Sequence, residues 1–450
     1  MNQALTKHLI VLSFDCLSSL DFSLLQELPH FRSLIERGVY AKKVESIYPS
    51  VTYPCHATIV TGNYPVRHGV INNTLIQPGS ASPDWHWHRK SIQGTTLYDE
   101  AKRKQLKTAA LLWPVTAKAN IDYNMPEIFP NRPWQNQIFV SLLNGSPFYQ
   151  WELNQKFGHI RNGLQQPALD DFTLAATIHT IQTKKPNLML VHFTDLDTQR
   201  HYHGFSSPEA IAAVRRHDVR LGTIIDALKE SNMYEDTTII ALGDHSALDE
   251  SNAINVNVLL RKQGLITLNK KGKVTDWKAY CKSCDGAAYI YVQDDADLQT
   301  KQKVSSLLKS LLDDPTSGIE FILSGEEAAR RGADSNCAFM LEAKKGYYFL
   351  EDCEGDYIQT VTPADTAIDK KYTLATHGYS PTKENYSTIF MAAGKGIKQN
   401  VAIPFMRLID EGPTMARLLG LHLGNTDGRI VEELLDLPSD NSIYDKGASV

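Results

Sequence analysis

The stretch His8-Leu9-Ile10-Val11-Leu12-Ser13-Phe14 runs straight into Asp15. A short apolar run of this kind reads as a strand buried on both faces. It lacks a small-residue cleavage site, so it does not read as a signal peptide. Working outward, 108–112, 187–193 and 237–242 are further apolar runs of strand length. Helical patterns separate them, notably 22–37, 170–182 and 207–230. Gly38 stands where a left-handed helix cap is expected. Apolar strands alternating with helices predict an α/β fold, with a mostly parallel central sheet covered by helices on both faces.

The character changes between 255 and 365. That region carries the basic turn Lys270-Lys271-Gly272-Lys273, a strand at Ala287–Val292, a helix near 298–313 and a hairpin expected around 339–350. It reads as an inserted α+β subdomain that caps the site. The core pattern resumes with a strand at 387–393 and a helix at 412–419. The expected organisation is a core of 1–254 and 366–450, interrupted by 255–365. A chain of 450 residues is long enough for that arrangement.

Composition narrows the function. The chain is 42% hydrophobic and 22% charged, which is ordinary for a globular protein, and its net charge is -5. No basic bias points to a nucleic-acid polymer or an anionic membrane. No apolar run is long enough to span a bilayer. The six cysteines, at 16, 55, 281, 284, 337 and 353, are too scattered for a disulfide framework. A reducing, cytoplasmic setting is expected.

Open α/β sheets place ligands at the carboxyl ends of their strands. Four places put Asp or His there. Asp15 follows the first strand, Asp197 and His201 follow the strand 187–193, Asp244 and His245 follow 237–242, and His377 precedes Gly378. Each alone suits a turn or a helix cap; together they converge on one sheet edge. Asp197 and His201 are four apart, so a helix places both on one face, where they can grip one cation. Asp195 lacks that relation to His201. Three Asp and three His make two sites of three ligands each. Carboxylate oxygen with imidazole nitrogen suits zinc, or manganese where oxygen dominates.

The run Tyr48-Pro49-Ser50-Val51-Thr52-Tyr53-Pro54-Cys55-His56 opens another helix. Pro54 fits the first helical position, which would leave Thr52 just outside as an N-cap. A helix N-terminus also offers free N–H groups to a phosphate. A hydroxyl there becomes a nucleophile when a divalent cation stabilises its alkoxide.

The segment YPSVTYPCHATIVTGNYPVRHGVINN resembles the nucleophile block of the nucleotide pyrophosphatase/phosphodiesterase family, within the alkaline phosphatase superfamily. Ser13-Phe14-Asp15, Asp197 through Gly204, Gly243-Asp244-His245 and His377-Gly378 resemble that family's metal motifs, in order. The C-terminal stretch from Leu408 to Arg429 is also similar to the superfamily. The resemblance implies an alkaline-phosphatase-like fold and two Zn²⁺ ions. One ion would be held by Asp197, His201 and His377, the other by Asp15, Thr52, Asp244 and His245. Thr52 would be the nucleophile of a phosphothreonine mechanism. Asn73 would hold a phosphoryl oxygen, and Tyr53 would occupy the position that stacks on a base. Two positions depart from the pattern: Cys16 and Ser246 stand where the family often has Gly.

The implied activity is a phosphodiesterase or nucleotide pyrophosphatase acting on a small phosphoester, expected to be a nucleotide. The alternative on the same scaffold is a phosphomonoesterase or a phosphonate hydrolase cleaving a C–P bond. The ligands do not separate these, and the oligomeric state stays open. His56 and His68 read as supporting residues and Trp113 as packing beneath the site. Trp85-His86-Trp87-His88 suits either the substrate mouth or packing against the loop after Asn73, and packing is the expected role. Cys281-Lys-Ser-Cys284 has no second pair to complete a zinc site. Arg215, Arg216 and Arg220 read as a solvated helix face.

Overall fold

The computed structural model describes residues 3–437. The outermost residues of the expected core, 1–2 and 438–450, lie outside it. Among the described residues the central sheet has nine strands. Their order is Val401–Ile403, Val39–Glu45, Thr388–Gly394, Thr237–Leu242, His8–Phe14, Leu188–Phe193, Thr108–Leu111 and Tyr123–Met125, with Met406–Arg407 also on Val39–Glu45. All pairs are parallel except the two made by Thr388–Gly394.

His8–Phe14 lies in the middle, and all of its residues are buried. Strand alternation sends its side chains to two cores. Leu9 and Val11 pack with Ile59, Val60, Met415 and Leu418 on one face. Ile10, Leu12 and Phe14 pack with Phe31, Leu34, Leu221 and Ile224 on the other. Each such side chain contributes about 1.5–3 kcal/mol on burial. Two buried faces explain why the run is apolar without alternation.

Three local expectations need correction. The pattern at 22–37 is two helices, Phe22–Glu27 and Pro29–Arg37. Leu28 is extended at ψ 130 because Pro29 disfavours a helical residue before it. Gly38 is not a left-handed cap, since its φ is -137. It is required by a close approach, because a Cβ there would lie 2.0 Å from the carbonyl oxygen of Ala392. The hairpin expected at 339–350 does not form. Phe339–Ala343 already has Ala287–Val292 on one edge and Ile319–Ser324 on the other. With both edges taken, Gly346–Phe349 pairs in parallel with Leu248–Ile254 instead.

Between 248 and 376 the chain forms smaller sheets. Ala279–Cys284, Ala287–Val292, Phe339–Ala343 and Ile319–Ser324 make an antiparallel sheet backed by the helix Leu298–Asp313. Leu248–Ile254 heads another, to which Ala375–Thr376 pairs. That pairing delivers His377 to the carboxyl end of the central sheet. No helix among the described residues is long and apolar enough to cross a membrane.

Candidate active site

Asp15 follows His8–Phe14 and is almost fully buried. Ser13 faces the helix Thr52–Thr61, and Asp15 stands in the turn just beyond the strand. Asp244 and His245 follow the neighbouring strand Thr237–Leu242 and are fully buried. Asp197 and His201 sit on the helix Asp195–His203, one turn apart as the spacing requires. The structure gathers all six Asp and His residues, with Thr52, at one place.

They form two trios. Asp197 Oδ2 lies 3.1 Å from His201 Nε2, and Asp197 Oδ1 lies 4.0 Å from His377 Nε2. Asp15 Oδ1 and Asp244 Oδ2 lie 3.3 Å and 3.2 Å from His245 Nε2. Thr52 Oγ lies 3.3 Å from the same nitrogen. Asp15 Oδ1, Asp197 Oδ1 and Asp244 Oδ2 are buried without a hydrogen-bond partner. Buried carboxylate oxygens are costly when unpaired, and three of them facing imidazole nitrogens suit divalent cations. Two of the possible metal groups coincide with these trios, and a third combines Cys16 with Asp197 and His245.

The local electrostatics agree. Burial raises Asp15 well above the usual carboxylate range, and the charges of Asp244 and Asp197 add to that. Burial likewise pushes Asp244 up to about 7. Burial would also raise Asp197, but His201 beside it holds it well below the usual range. Burial lowers His245 to about 4 and His377 to about 3, so both imidazoles stay neutral, as metal ligands must be. His201 runs the other way: burial would lower it, but Asp197 raises it to about 10, so a cation bound there displaces a proton.

Thr52 is the first residue of its helix, and Val51 holds the cap position. Pro54 is therefore the third helical residue and not the first. The correction changes the anion site. Tyr53 N–H donates to Asn73 Oδ1 at 2.8 Å, Pro54 has no N–H, and Cys55 N–H donates to Val51 O at 3.0 Å. Of the first turn, only the N–H of Thr52 itself is left for a ligand. Because Asn73 Oδ1 accepts from Tyr53, the Asn73 amide turns its two N–H donors elsewhere. Tyr53 is fully buried, with Trp85 edge-on at 5.1 Å, and half-buried Phe129 stands 5.2 Å beyond Trp85.

Asp15 of one trio and Asp197, His201 and His377 of the other line a cavity of about 660 Å³, together with Thr52, Tyr53, Asn73 and Trp85. Its outer wall comes from residues 125–172, including Phe129, Leu142, Trp151 and Phe172. The stretch 255–365, expected to cap the site, contributes none of the described lining residues. Trp85 thus lines the mouth, while the backbone N–H of His86 donates to Asn73 O at 2.9 Å. Trp85-His86-Trp87-His88 both packs against the Asn73 loop and borders the cavity.

Other residues support the centre. His56 bridges Thr52 O and Ser13 Oγ, at 2.8 Å and 3.0 Å. Trp113 packs edge-on against it, and His68 Nε2 lies 3.0 Å from Thr58 Oγ, as supporting roles require. Sequence reasoning missed His192, whose Nε2 lies 3.2 Å from Asp15 Oδ2. An imidazole inside an apolar strand, in register with Ser13, was the available signal. It also missed Glu127, which lines the cavity and lies 3.3 Å from His192 Nδ1. The arginine helix needs correction too. Arg215 is exposed, but Arg220 is buried between Asp170, Asp171 and Asp195, and Arg216 also grips Asp195. Asp195 is thereby occupied in holding its helix.

A threonine beside two carboxylate–imidazole trios, at the carboxyl edge of an α/β sheet, is an arrangement that suits a phosphoryl-transfer protein. Residues 9–380 match the family model for Type I phosphodiesterase / nucleotide pyrophosphatase, and the chain belongs to that family. It is 27% identical over 230 residues to ectonucleotide pyrophosphatase/phosphodiesterase family member 1 of Homo sapiens, covering 48% of this chain and 21% of that protein. An uncharacterized pyrophosphatase/phosphodiesterase of Schizosaccharomyces pombe is 27% identical over 229 residues, covering 48% of this chain and 40% of that one. The matches therefore span about a fifth to two fifths of these relatives. An inactive variant of murine ectonucleotide pyrophosphatase / phosphodiesterase 5, solved in complex with AMP, superposes with a TM-score of 0.65 at 20% identity, covering 96% of this chain and 100% of that one. That likeness places the fold as alkaline-phosphatase-like.

Proposed function

We propose that this protein is a metal-dependent phosphodiesterase of the nucleotide pyrophosphatase type, working through a phosphothreonine on Thr52. The observation that carries the reading is the position of Thr52 Oγ, 3.3 Å from His245 Nε2 and beside unpaired carboxylate oxygens at the cavity floor. Asp197, His201 and His377 would hold one cation; Asp15, Asp244, His245 and Thr52 would hold the other. Zn²⁺ fits this mixed oxygen and nitrogen set, with Mn²⁺ as the alternative. When bound, the cations supply Lewis-acid charge against the attacking and leaving oxygens.

Thr52 Oγ attacks phosphorus, forming a new P–O bond as the leaving alcohol departs. The Asn73 amide and the Thr52 N–H donate to the non-bridging oxygens as their charge grows. Water then attacks the phosphothreonine, releasing a monoester and restoring the hydroxyl. A diester is favoured over a monoester or phosphonate by the lining. Arg161 is the one Arg or Lys among the described lining residues, and its guanidinium is engaged by Asn154 and by the face of Phe172. A dianionic substrate would call for more cationic partners.

The aromatic edge formed by Trp85 and Phe129 beside Tyr53 supports a nucleotide as the bound arm. A second reading rests on the outer wall. Ile138 and Leu142 line the cavity, while Phe139 and Leu143 of the same helix are 67% and 73% exposed. A helix apolar on both sides of the rim suits a diester with a hydrocarbon arm. Six unpaired cysteines, five of them buried, support a reducing cytoplasmic setting.

The test is parallel hydrolysis of a nitrophenyl nucleotide diester, nitrophenyl phosphate and a series of alkyl nitrophenyl phosphodiesters, with added zinc and after chelation. The nucleotide diester should be cleaved fastest, and chelation should abolish the reaction. A faster monoester reaction overturns the diester reading. A rate rising with alkyl length beyond that of the nucleotide selects the hydrocarbon arm.

A further inference from the structure

Three histidines face the candidate metal positions, and two have their second ring nitrogen fixed. His201 Nδ1 meets the carbonyl oxygen of Ala375 at 2.9 Å. His245 Nδ1 meets that of Ser246 at 3.2 Å. A carbonyl only accepts, so both rings carry hydrogen on Nδ1 and leave Nε2 open to a cation. His377 differs. Its side chain is 4% exposed, yet its Nδ1 has no hydrogen-bond partner.

The group facing that nitrogen is a carboxylate. Asp285 Oδ2 lies 3.7 Å from His377 Nδ1. Asp285 sits in the turn joining Ala279–Cys284 to Ala287–Val292, far in sequence from every metal motif. The turn is fastened to the His377 segment through the backbone. Gly286 N–H donates to His377 O at 2.8 Å. A Cβ on Gly378 would lie 1.8 Å from Cys284 O, so the chains touch where only glycine fits. Asp285 is itself partly exposed, with φ at 63, a conformation that Asn and Gly adopt readily.

We propose that Asp285 is a positioning residue for His377. Its carboxylate accepts the Nδ1 hydrogen of His377 when Nε2 binds a divalent cation. This rests on the two-cation reading above. A carboxylate behind a ligating imidazole fixes the ring and makes it a stronger donor, and losing it typically weakens metal binding 10–100-fold. The stretch 255–365 would then act on the centre from behind His377, through one turn, and not as a cover over the cavity.

The positive φ supplies two variants that keep the turn. Asp285→Gly removes the carboxylate, and Asp285→Asn keeps a neutral acceptor. Metal-stripped protein is titrated with Zn²⁺ against a chromophoric chelator. Wild type should bind two ions. Asp285→Gly should bind one ion about 10–100-fold more weakly and the other unchanged. Asp285→Asn should lie between, and the metal-free unfolding midpoints of all three should coincide. In a His377→Ala background, Asp285→Gly should cause no further loss. Unchanged affinity for both ions in Asp285→Gly, or an undiminished loss in the His377→Ala background, overturns the proposal. A wild type that binds no zinc overturns the two-cation reading and this inference with it.

Discussion

Thr52 Oγ and His245 Nε2 lie 3.3 Å apart, although the residues are 193 positions apart in sequence. One is the first residue of a helix that follows an edge-side strand; the other follows a strand beside the sheet centre. Their approach puts a hydroxyl where the carboxylates of Asp15 and Asp244 also point. Thr52→Ala should lower turnover at least about 10³-fold, in keeping with loss of a nucleophile. Zinc content should stay near that of wild type, since three ligands remain at that position. Thr52→Ser should retain measurable turnover. Acid quench during turnover should leave a phosphoryl group on the Thr52 peptide by mass spectrometry; its absence under substrate saturation counts against the covalent route.

Asn73 combines two jobs that substitution can separate. Its Oδ1 accepts the Tyr53 N–H at 2.8 Å, and in the proposed mechanism its amide donors serve the substrate. Asn73→Asp keeps the acceptor and loses the donors, so kcat should fall about 10²–10³-fold with no change in Tm. Asn73→Ala should lose similar activity and also about 1 kcal/mol of stability. Urea unfolding alongside steady-state kinetics reads both effects.

Arg220 is an ion-pair hub and not a solvated side chain. It lies 3.0 Å from Asp195, 2.9 Å from Asp171 and 3.5 Å from Asp170. Arg220→Ala should cost about 3–5 kcal/mol, because it leaves buried Asp170 without its cation and Asp195 with Arg216 alone. Arg215→Ala on the exposed face of the same helix should leave the unfolding midpoint unmoved. Equal effects of the two substitutions would contradict the assignment.

His68 gives stability a pH dependence. Its Nδ1 accepts Val70 N–H at 3.1 Å, so Nε2 carries the hydrogen donated to Thr58 Oγ. Burial, with His86 adding to it, pushes His68 down to about 3 from 6.5. Between those values the unfolded chain binds the extra proton, so stability rises with pH and is lost as pH falls. From pH 7 to 5 this group alone should remove about 2 kcal/mol. His68→Asn should be less stable at pH 7 but show a shallower slope in chemical unfolding across that range.

Much of the centre was legible because its chemistry is written in local spacing. Asp197 and His201 had to share a helix face once 195–203 was helical. Asp15, Asp244 and His245 had to stand at one sheet edge once their strands were parallel neighbours. His192 and Glu127 were not legible, because their meaning comes from register and packing and not from spacing. The hairpin at 339–350 failed for a related reason: local sequence proposes a partner, but the occupied edges of Phe339–Ala343 decide it.

The sequence alone determined the alternation of buried strands and helices, the strand-end acids and histidines, and the threonine at a helix start. These follow from periodicity and from short-range geometry. Tertiary structure decided which first-turn N–H groups remain free, that Arg220 is buried, that residues 125–172 wall the cavity, and that Asp285 faces His377. Each of these is a contact between segments far apart in the chain, set by which surfaces meet when two cores close on one sheet.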